Sequence, residues 1–419
     1  MFNAKGRLVA VATAGALILS GYVAAFAPAT AANKKIIVWT DEQRGPVMRT
    51  LLVGKTPVKG YTIEIKSYSN LDALNAAWNS ATAATGPDLI ISNAGLAASG
   101  GKSGKLAPLT LPASVKNQFS KSAWAALSFK GKVYGVPLDV DTTAMFWNTK
   151  LFGKKYPKTF GAMVNYYLKN KDSKGLTAGF CAQEGTWGSH PVFTALGGGA
   201  WAYKKNGEGD PSKTVFNSAA FKANITKFLL GSDGKSNGFF KIGGDCINDW
   251  KAGKIPFMNT GGWQVDGINA SGVKYKIGSV PGVKKGTFGS PWAGYQGAFV
   301  TSYAKSHGVA AAANQFAVNF MANATTQAQL STFGNRPPAN LQAAKKVKNP
   351  VLAGIAKAGS RGVLQLSALL DANAGGSNWY DLTGDVFNKI LVEGESVGAT
   401  LDAAAAKLLQ NFAAGAANL

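Results

Sequence analysis

Four acidic residues stand out because each lies close to a predicted strand end or in a polar, glycine-containing stretch. They are Asp41, Glu42, Asp141 and Glu184. Two carboxyl groups held about 5 to 9 Å apart can hydrolyse a glycosidic bond, one as an acid and the other as a base or nucleophile. Ionised carboxylates can instead accept paired hydrogen bonds from neighbouring hydroxyl groups. Both a catalytic and a binding interpretation follow from these residue types.

Other catalytic and cofactor chemistry has little support in the sequence. Ser189 and His190 are adjacent rather than spaced as in a triad, and no GxSxG motif occurs. The glycine clusters 197–199 and 261–262 match neither the GxGxxG nor the GxxxxGK[ST] phosphate-binding pattern. Two cysteines and two histidines are too few for a four-cysteine zinc site or a histidine-rich centre. We therefore expect no cofactor and no metal.

Three tryptophans occur in glycine-rich or polar surroundings, whereas core tryptophans are usually flanked by periodic apolar neighbours. They are Trp187, Trp263 and Trp379. An indole face carries a negative quadrupole, and a pyranose ring presents slightly positive C–H groups on its apolar face, so the two stack well. The context of these tryptophans is equally compatible with a place in a cleft and with packing in the interior.

Composition and charge limit the class of protein. The chain has 419 residues, 46% of them hydrophobic, and a formal net charge of +23. At roughly 150 residues per domain, this length predicts two or three compact units. Only five of the 44 basic residues are arginines, and the lysines are spread along the chain, unlike the clustered basic and aromatic residues of nucleic-acid-binding proteins. The charge favours solubility and electrostatic contact with an anionic cell envelope.

Residues 1–31 read as a secretory signal peptide, since Lys5 and Arg7 precede an apolar run that ends in Ala29-Thr30-Ala31. An uncleaved N-terminal membrane anchor is the alternative. Residues 19–22 resemble a lipobox in which Tyr22 replaces the lipidated cysteine, so thioether lipidation cannot occur there. The protein is thus expected outside the cytoplasm, either secreted, associated with the cell surface or periplasmic.

An extracytoplasmic location permits the two cysteines, Cys181 and Cys246, to oxidise. A disulfide between them would close a loop of about 66 residues and stabilise the fold by roughly 4 kcal/mol on the chain-entropy model. Two buried free thiols, which behave as small apolar side chains, are the alternative.

The order of elements predicts an α/β fold. Continuous apolar or alternating runs at 35–39, 61–68 and 88–92 predict strands, and 45–54 and 71–84 predict helices between them. Ligands of such sheets bind at the carboxyl ends of the strands. Extended runs at 132–137 and 144–148, joined by a polar link, favour a crossing between two lobes. Further strands are predicted at 255–259, 275–280 and 294–301, with helices at 159–169, 191–196, 217–230, 306–321 and 325–332 and through most of the last 75 or so residues.

The order and spacing of several short stretches resemble the extracellular solute-binding proteins of carbohydrate ABC transporters, and most of all the maltose/maltodextrin-binding branch. Similar stretches run through nearly the whole chain after residue 31. They include Ile36 to Glu42, Gly86 to Ile90, Tyr134 to Leu138, Met145 to Phe152, Gly197 to Trp201, Met258 to Trp263 and Ser377 to Trp379.

This resemblance implies a periplasmic-binding-protein-like fold of two α/β lobes joined by crossing hinge strands, with a sugar bound between them. Lobe one would comprise 33–140 and 295–340, and lobe two 142–292 and 345–419. The family's polar contacts fall at Asp41, Glu42 and Arg44, its carboxylates at Asp141 and Glu184, and its stacking aromatics at Trp187, Trp263 and Trp379.

Two departures from maltose-binding proteins bear on the ligand. Residues 92–96 lack the aromatic, Asp and Arg side chains of that branch, and the acid at the crossing is Asp141 rather than Glu. The resemblance therefore predicts a monomeric, non-enzymatic protein that binds a mono- or oligosaccharide, maltose-like or other, and delivers it to a membrane ABC permease. A secreted glycoside hydrolase and a cell-envelope adhesin are the alternatives.

Overall fold

The computed structural model describes residues 34–203, 209–244 and 246–416. The predicted signal peptide, residues 1–31, lies outside the described residues. None of the helices in the described ranges combines the length and the apolar character that crossing a membrane requires.

The first sheet is built on the predicted βαβαβ unit. β1 pairs in parallel with β2 and with β3, and β14 pairs antiparallel with both β3 and β6. β15 adds a short parallel pairing at the start of β14. The strands are β1 (Lys34–Asp41), β2 (Tyr61–Tyr68), β3 (Leu89–Asn93), β6 (Gly135–Asp141), β14 (Trp292–Val300) and β15 (Val363–Leu364).

The second sheet has the strand order β11-β8-β12-β7-β13. β8 runs parallel to β11 and β12, whereas β7 runs antiparallel to β12 and β13. Its strands are β7 (Thr143–Asn148), β8 (Phe180–Ala182), β11 (Phe240–Ile242), β12 (Phe257–Gly261) and β13 (Tyr275–Gly278). Two small hairpins complete the strands of the described residues: β4 (Ser128–Phe129) with β5 (Lys132–Val133), and β9 (Ala202–Tyr203) with β10 (Gly209–Asp210).

The chain crosses between the first and the second sheet along the β6–β7 connection and along β14. β6 ends at Asp141 in the first sheet and β7 begins at Thr143 in the second, so a single residue, Thr142, separates them. β14 also spans both, because Trp292 packs in the core of the second sheet and Ala298 in the core of the first. The predicted α/β class with crossing strands is confirmed.

Helices cover the sheets, and many begin at a Ser, Thr or Asn whose side chain accepts a backbone N–H of the first turn. Asn70, Thr159 and Asn378 are examples. The helices of the described residues are α1 (Arg44–Leu52), α2 (Leu71–Ser80), α3 (Leu96–Lys102), α4 (Ala113–Lys116), α5 (Lys121–Ala126), α6 (Phe160–Asn170), α7 (Gly185–Ala195), α8 (Ala219–Leu229), α9 (Cys246–Lys251), α10 (Val265–Ala270), α11 (Tyr303–Ser306), α12 (Ala310–Gln315), α13 (Ala324–Gly334), α14 (Leu341–Lys346), α15 (Pro350–Gly359), α16 (Ser367–Leu370), α17 (Trp379–Asn388) and α18 (Val397–Ala416), with a 3₁₀ turn at Gly262–Gln264 and π-helical turns at Phe316–Met321 and Lys389–Glu393.

Each sheet has its own hydrophobic core. Val38, Ile90 and Phe299 are central to the first, and Phe180 and Phe257 to the second. Side chains of α17 and α18 belong to the second core. A further cluster on the second sheet contains Cys181 and Cys246, which form a disulfide with their Cα atoms 5.9 Å apart.

A hydrogen bond between His307 and Asp88 couples folding to pH. His307 Nδ1 lies 2.7 Å from Asp88 Oδ1, and its Nε2 lies 2.6 Å from the carbonyl oxygen of Ala83. Because both ring nitrogens face acceptors, the doubly protonated imidazolium is the form that satisfies them. Burial disfavours that cation, but the bonds to Asp88 and Ala83 outweigh the burial and raise the pKa of His307 above its ordinary value.

This arrangement predicts a pH-dependent stability. A raised pKa in the folded state means that the contribution of His307 is fully present below its unfolded pKa of about 6.5 and is lost as pH rises through the higher folded value. The unfolding free energies of the wild type and of His307→Asn, from urea denaturation, should differ most near pH 5.5 and converge towards pH 9. A difference that stays constant across this range would contradict the charged pair.

Candidate functional site

Most of the predicted site residues meet in one cavity between the two sheets, which we call the first chamber. Its volume is about 340 Å³. The end of β1 and the end of β6 contribute from the first sheet, and the start of α7 and the turn after β12 contribute from the second. The predicted residues that line it are Asp41, Glu42, Arg44, Asp141, Glu184, Trp187 and Trp263.

Asp41 is held in place by the turn that follows β1. Its Oδ1 accepts the backbone N–H groups of Gln43, at 3.1 Å, and Arg44, at 2.9 Å, and its Oδ2 accepts from the Arg44 guanidinium. Burial raises the pKa of Asp41, but Arg44, its backbone N–H and Arg336 outweigh the burial, and the pKa lies below its usual value. Asp41 is thus an ionised acceptor with much of its capacity already used.

The Arg44 side chain is buried and contacts carboxylates inside the protein. The residue is 7% exposed, and its Nη2 lies 3.4 Å from both carboxylate oxygens of Asp139 on β6. Burial disfavours the charged guanidinium, but Asp139, Asp41 and Asp141 outweigh it and raise the pKa of Arg44 above its usual value. Arg44 therefore ties the end of β1 to the crossing strand.

Glu42 differs from Asp41 and Arg44 because its side chain is exposed on the chamber wall. Within residues 34–203, 209–244 and 246–416, no hydrogen bond or ion pair engages its carboxylate. Its oxygens are free to accept hydrogen bonds from a ligand.

Trp187 and Trp263 form an aromatic wall on the side of the second sheet. Both are partly buried, and their ring centroids lie 5.9 Å apart at an interplanar angle of 48°. The indole of Trp263 folds back over Gly261, where a Cβ atom would lie 2.1 Å from the ring. Glycine at this position is what allows the indole to turn towards the chamber.

Glu184 stands between this wall and β12. Its Oε1 accepts a hydrogen bond of 2.6 Å from the Thr260 hydroxyl, and the carboxylate also accepts one from the Trp263 side chain. Burial raises the pKa of Glu184 above its usual value, and these two hydrogen bonds oppose the rise only in part. Glu184 thus holds the side chains of Thr260 and Trp263 together on this side of the chamber.

Arg336 is the main site residue that the sequence did not reveal. Its guanidinium carbon lies 5.3 Å from the Trp263 ring centroid, and its Nε lies 3.4 Å from Asp141 Oδ1. Its Nη1 donates to Gln43 Oε1 at 3.0 Å. The only available signal was indirect: Arg336 is one of five arginines, and the Pro337-Pro338 pair after it ends a helix.

A second chamber of about 280 Å³ adjoins the first, and the two share Leu71, Asp141, Trp187 and Gln296. The second chamber was not predicted. Its wall includes the backbone of the short segment after β3, where the sequence lacks the large side chains of maltose-binding proteins. The other lining residues are Asn93, Ala94, Gly95, Gly294, Tyr295, Gln365, Ser367, Asp371 and Tyr380.

The adjacent Ser189 and His190 have structural roles. His190 is 1% exposed, stacks on Trp292 with ring centroids 3.8 Å apart, and lies with Nδ1 2.8 Å from the carbonyl oxygen of Ser290. Burial lowers the pKa of His190 to about 3, so the ring is neutral. The Ser189 hydroxyl donates to the carbonyl oxygen of Gly185. Among the described residues, no group of three or more His, Cys, Asp or Glu side chains is arranged to hold a metal ion.

A model of the bacterial extracellular solute-binding protein family matches residues 56–354, which is well over half of the chain. The chain belongs to this family. Three curated relatives each match this solute-binding protein at 24% identity. They are the galactooligosaccharide-binding protein of Bacillus subtilis (68% of this chain and 68% of the relative), the maltodextrin-binding protein MdxE of Bacillus subtilis (84% and 85%) and a maltooligosaccharide ABC transporter solute-binding lipoprotein of Streptococcus pneumoniae (82% and 82%).

Trp379 of this solute-binding protein lies outside both chambers, which corrects the expectation that it stacks on a ligand. The residue is 0% exposed, and its ring centroid lies 5.2 Å from that of Phe216 and 6.2 Å from that of Trp292. Asn378 caps α17, so Trp379 is the first residue of an amphipathic helix rather than part of a loop. Its helical neighbours Leu382 and Val386 continue the same buried face.

Proposed function

We propose that this solute-binding protein binds a mono- or oligosaccharide between its two lobes and delivers it to a membrane ABC permease. The lobes are 33–140 with 295–340 and 142–292 with 345–419, and they close around the ligand as a monomer. The observation that carries the proposal is a chamber with a pair of indoles on one wall and carboxylates on the other. The names of the relatives, which refer to oligosaccharides, support the same ligand class.

We expect a bound sugar to close the two lobes because the proposed binding groups are divided between them. Trp187, Trp263 and Glu184 stand on the second sheet's side, whereas Asp41 and Glu42 follow β1 on the first. A ligand that contacts both sets stabilises the closed arrangement more than the open one, and a ligand can shift the equilibrium only by that difference. We also propose that electrostatic contact between this basic protein and an anionic envelope holds it at the cell surface, a contact that added salt would weaken.

Calorimetric titration of the protein lacking residues 1–31 with a panel of mono- and oligosaccharides tests the function. We expect saturable binding of at least one sugar and no release of reducing ends from an oligosaccharide. Saturable binding of an amino acid or peptide, with none of any sugar, would overturn the proposal. Product release that Glu184→Gln abolishes would favour the hydrolase, and salt-sensitive envelope retention without small-molecule binding would favour the adhesin.

Substitution of Trp263 tests its contact with the sugar. Trp263→Ala should weaken binding by about tenfold or more, because it removes one complete aromatic face from the chamber. Trp263→Phe retains a smaller ring and should lose less affinity. The control is Trp124→Phe, which alters an indole on α5 that packs against Phe119 outside both chambers. Unchanged affinity in Trp263→Ala would remove this residue from the site.

A further inference from the structure

The charge of the two chambers is opposite to that of the whole protein. The chain has 44 basic and 21 acidic residues. Among the residues that line the chambers, acidic ones outnumber basic ones, and no lysine is present. The acidic lining residues are Asp41, Glu42, Asp141, Glu184 and Asp371, and the basic ones are Arg44 and Arg336. A cleft of one sign in a protein of the other sign concentrates ligands of opposite charge to the cleft.

The excess of acidic over basic side chains is most complete in the second chamber. Asp141 and Asp371 line it, and no basic side chain does. Asp371 lies at its rim, and desolvation alone raises the pKa of this carboxyl to about 6. No cation of the described residues offsets that effect, in contrast to Asp41 beside Arg44. Within the part of the chain that the structure describes, no ion pair engages the carboxylate of Asp371.

Two buried acceptors in the chambers also lack donors. Gln296 is 2% exposed and lines both chambers. Its Nε2 donates to Asp141 Oδ2 at 2.7 Å, which fixes the amide, and leaves Gln296 Oε1 without a hydrogen-bond partner among the described residues. Asp141 Oδ1 likewise accepts no hydrogen bond there, although Arg336 lies at ion-pair distance. Both oxygens are buried as well as unpartnered, so a ligand pairs with them only after the surrounding side chains shift. Acceptors buried without donors are costly, and an N–H or O–H group that reaches these oxygens would remove that cost.

Three further polar side chains of this wall are paired with one another. Trp187 Nε1 donates to Gln365 Oε1 at 3.1 Å, and Gln365 Nε2 donates to Tyr380 Oη at 3.0 Å. This chain of hydrogen bonds orients the wall of the second chamber beside Asp371. Asn93 and Ser367 also line the chamber and can bond the hydroxyl groups of a sugar, whereas the carboxylates and Gln296 Oε1 are the acceptors suited to a cationic donor.

We propose that the second chamber binds a protonated primary amine on a sugar ring, placed between Asp371, Asp141 and Gln296 Oε1. This inference rests on the proposed function and specifies its ligand class as an amino sugar. An ammonium group carries three N–H donors and a positive charge, whereas a hydroxyl carries one donor and no charge. Carboxylate groups on a sugar would be repelled by the same residues, so uronic acids are excluded.

The test compares matched sugars by calorimetry at pH 7 and low salt. The probes are glucose, glucosamine, N-acetylglucosamine and glucuronate, together with the β-1,4-linked dimers of the first three. We expect glucosamine to bind about tenfold more tightly than glucose and N-acetylglucosamine, because its ammonium group makes a charge-assisted contact. The affinity for glucosamine should fall with added salt. Glucuronate should not bind.

Asp371→Asn removes the negative charge of this side chain and keeps its shape. Because this residue is exposed at the rim, the substitution should leave folding intact. The amine should lose about fivefold or more in affinity, on the scale of one charged contact, while the neutral sugars lose little. Asp172→Asn, which makes the same change in an exposed turn after α6, should leave every affinity unchanged.

Failure of the amine site and failure of the proposed sugar-binding function would give different results. Neutral sugars that bind as tightly as the amine, or an equal loss for all sugars in Asp371→Asn, would overturn the amine site and leave the proposed sugar-binding function standing. If neither these probes nor any sugar of the wider panel binds, the proposed function fails and the inference fails with it.

Discussion

Trp379→Ala is expected to lower the free energy of unfolding by about 3–5 kcal/mol, the usual cost of removing a large aromatic side chain from a core. The indole is fully buried among Phe216, Trp292 and His190, and its removal leaves a cavity that these rings cannot fill without moving. Urea denaturation followed by circular dichroism measures the effect. Affinity for the bound sugar, measured well below the denaturation midpoint, should stay within about twofold because no part of Trp379 reaches either chamber.

Trp379→Phe is the matched control. The indole Nε1 has no hydrogen-bond partner among the described residues, so the smaller ring gives up packing but no hydrogen bond. Its loss of stability should be clearly smaller than that of the alanine variant. If Trp379→Ala instead kept its stability and lost sugar affinity, the indole would have to face the ligand, and its assignment to the core would be wrong.

Arg44→Met should cost about 3 kcal/mol of unfolding free energy at pH 7, because it removes the cation that the buried Asp41 and Asp139 share. Arg336 remains 4.0 Å from Asp139 and compensates the two carboxylates only in part. The methionine side chain occupies a similar volume, so most of the loss reflects the lost charge pairing. Protonation of an uncompensated carboxylate relieves its burial, and the deficit of the variant should therefore shrink as pH falls towards 4. Urea denaturation across this pH range measures both effects.

Arg49→Met is the control on the same helix, since Arg49 is exposed and donates hydrogen bonds to Ser67 and to the carbonyl oxygen of Ile65. Its cost should stay below about 1 kcal/mol. Adding Asp139→Asn to Arg44→Met should recover part of the lost stability because it removes one of the unpaired charges. Equal costs for the two arginines would contradict a buried ion cluster at the crossing.

The sequence predicted much of the framework because apolar patterning is local. The strand at 61–68 has the predicted bounds, since its residues alternate and its neighbours are turn formers. The helix expected at 306–321 is interrupted in the structure. Gly308 adopts a φ of +70° after α11, and α12 then passes into a π-helical turn at Phe316–Met321. A pattern of apolar residues does not encode such a change of helical geometry.

The candidate site was predictable where it depended on strand ends and less so where it depended on distant segments. Asp41 and Glu42 follow β1 directly, so a general rule for α/β sheets located them. Arg336 and Gln296 reach the chambers only because β6 and β14 pair and the chain returns after α13, which no local pattern records. Trp379 was misplaced because glycines before it suggested a loop, although Asn378 and the apolar spacing that follows predict a capped helix.

Amide hydrogen exchange with and without a saturating sugar tests whether one ligand contacts both halves of the protein. The sugar should be the tightest binder found by calorimetry. Exchange should slow at 41–44 on the first-sheet side together with 184–187 and 261–264 on the second, because one ligand engages both. Slowed exchange confined to one side, or to segments distant from both chambers, would contradict binding between the two halves.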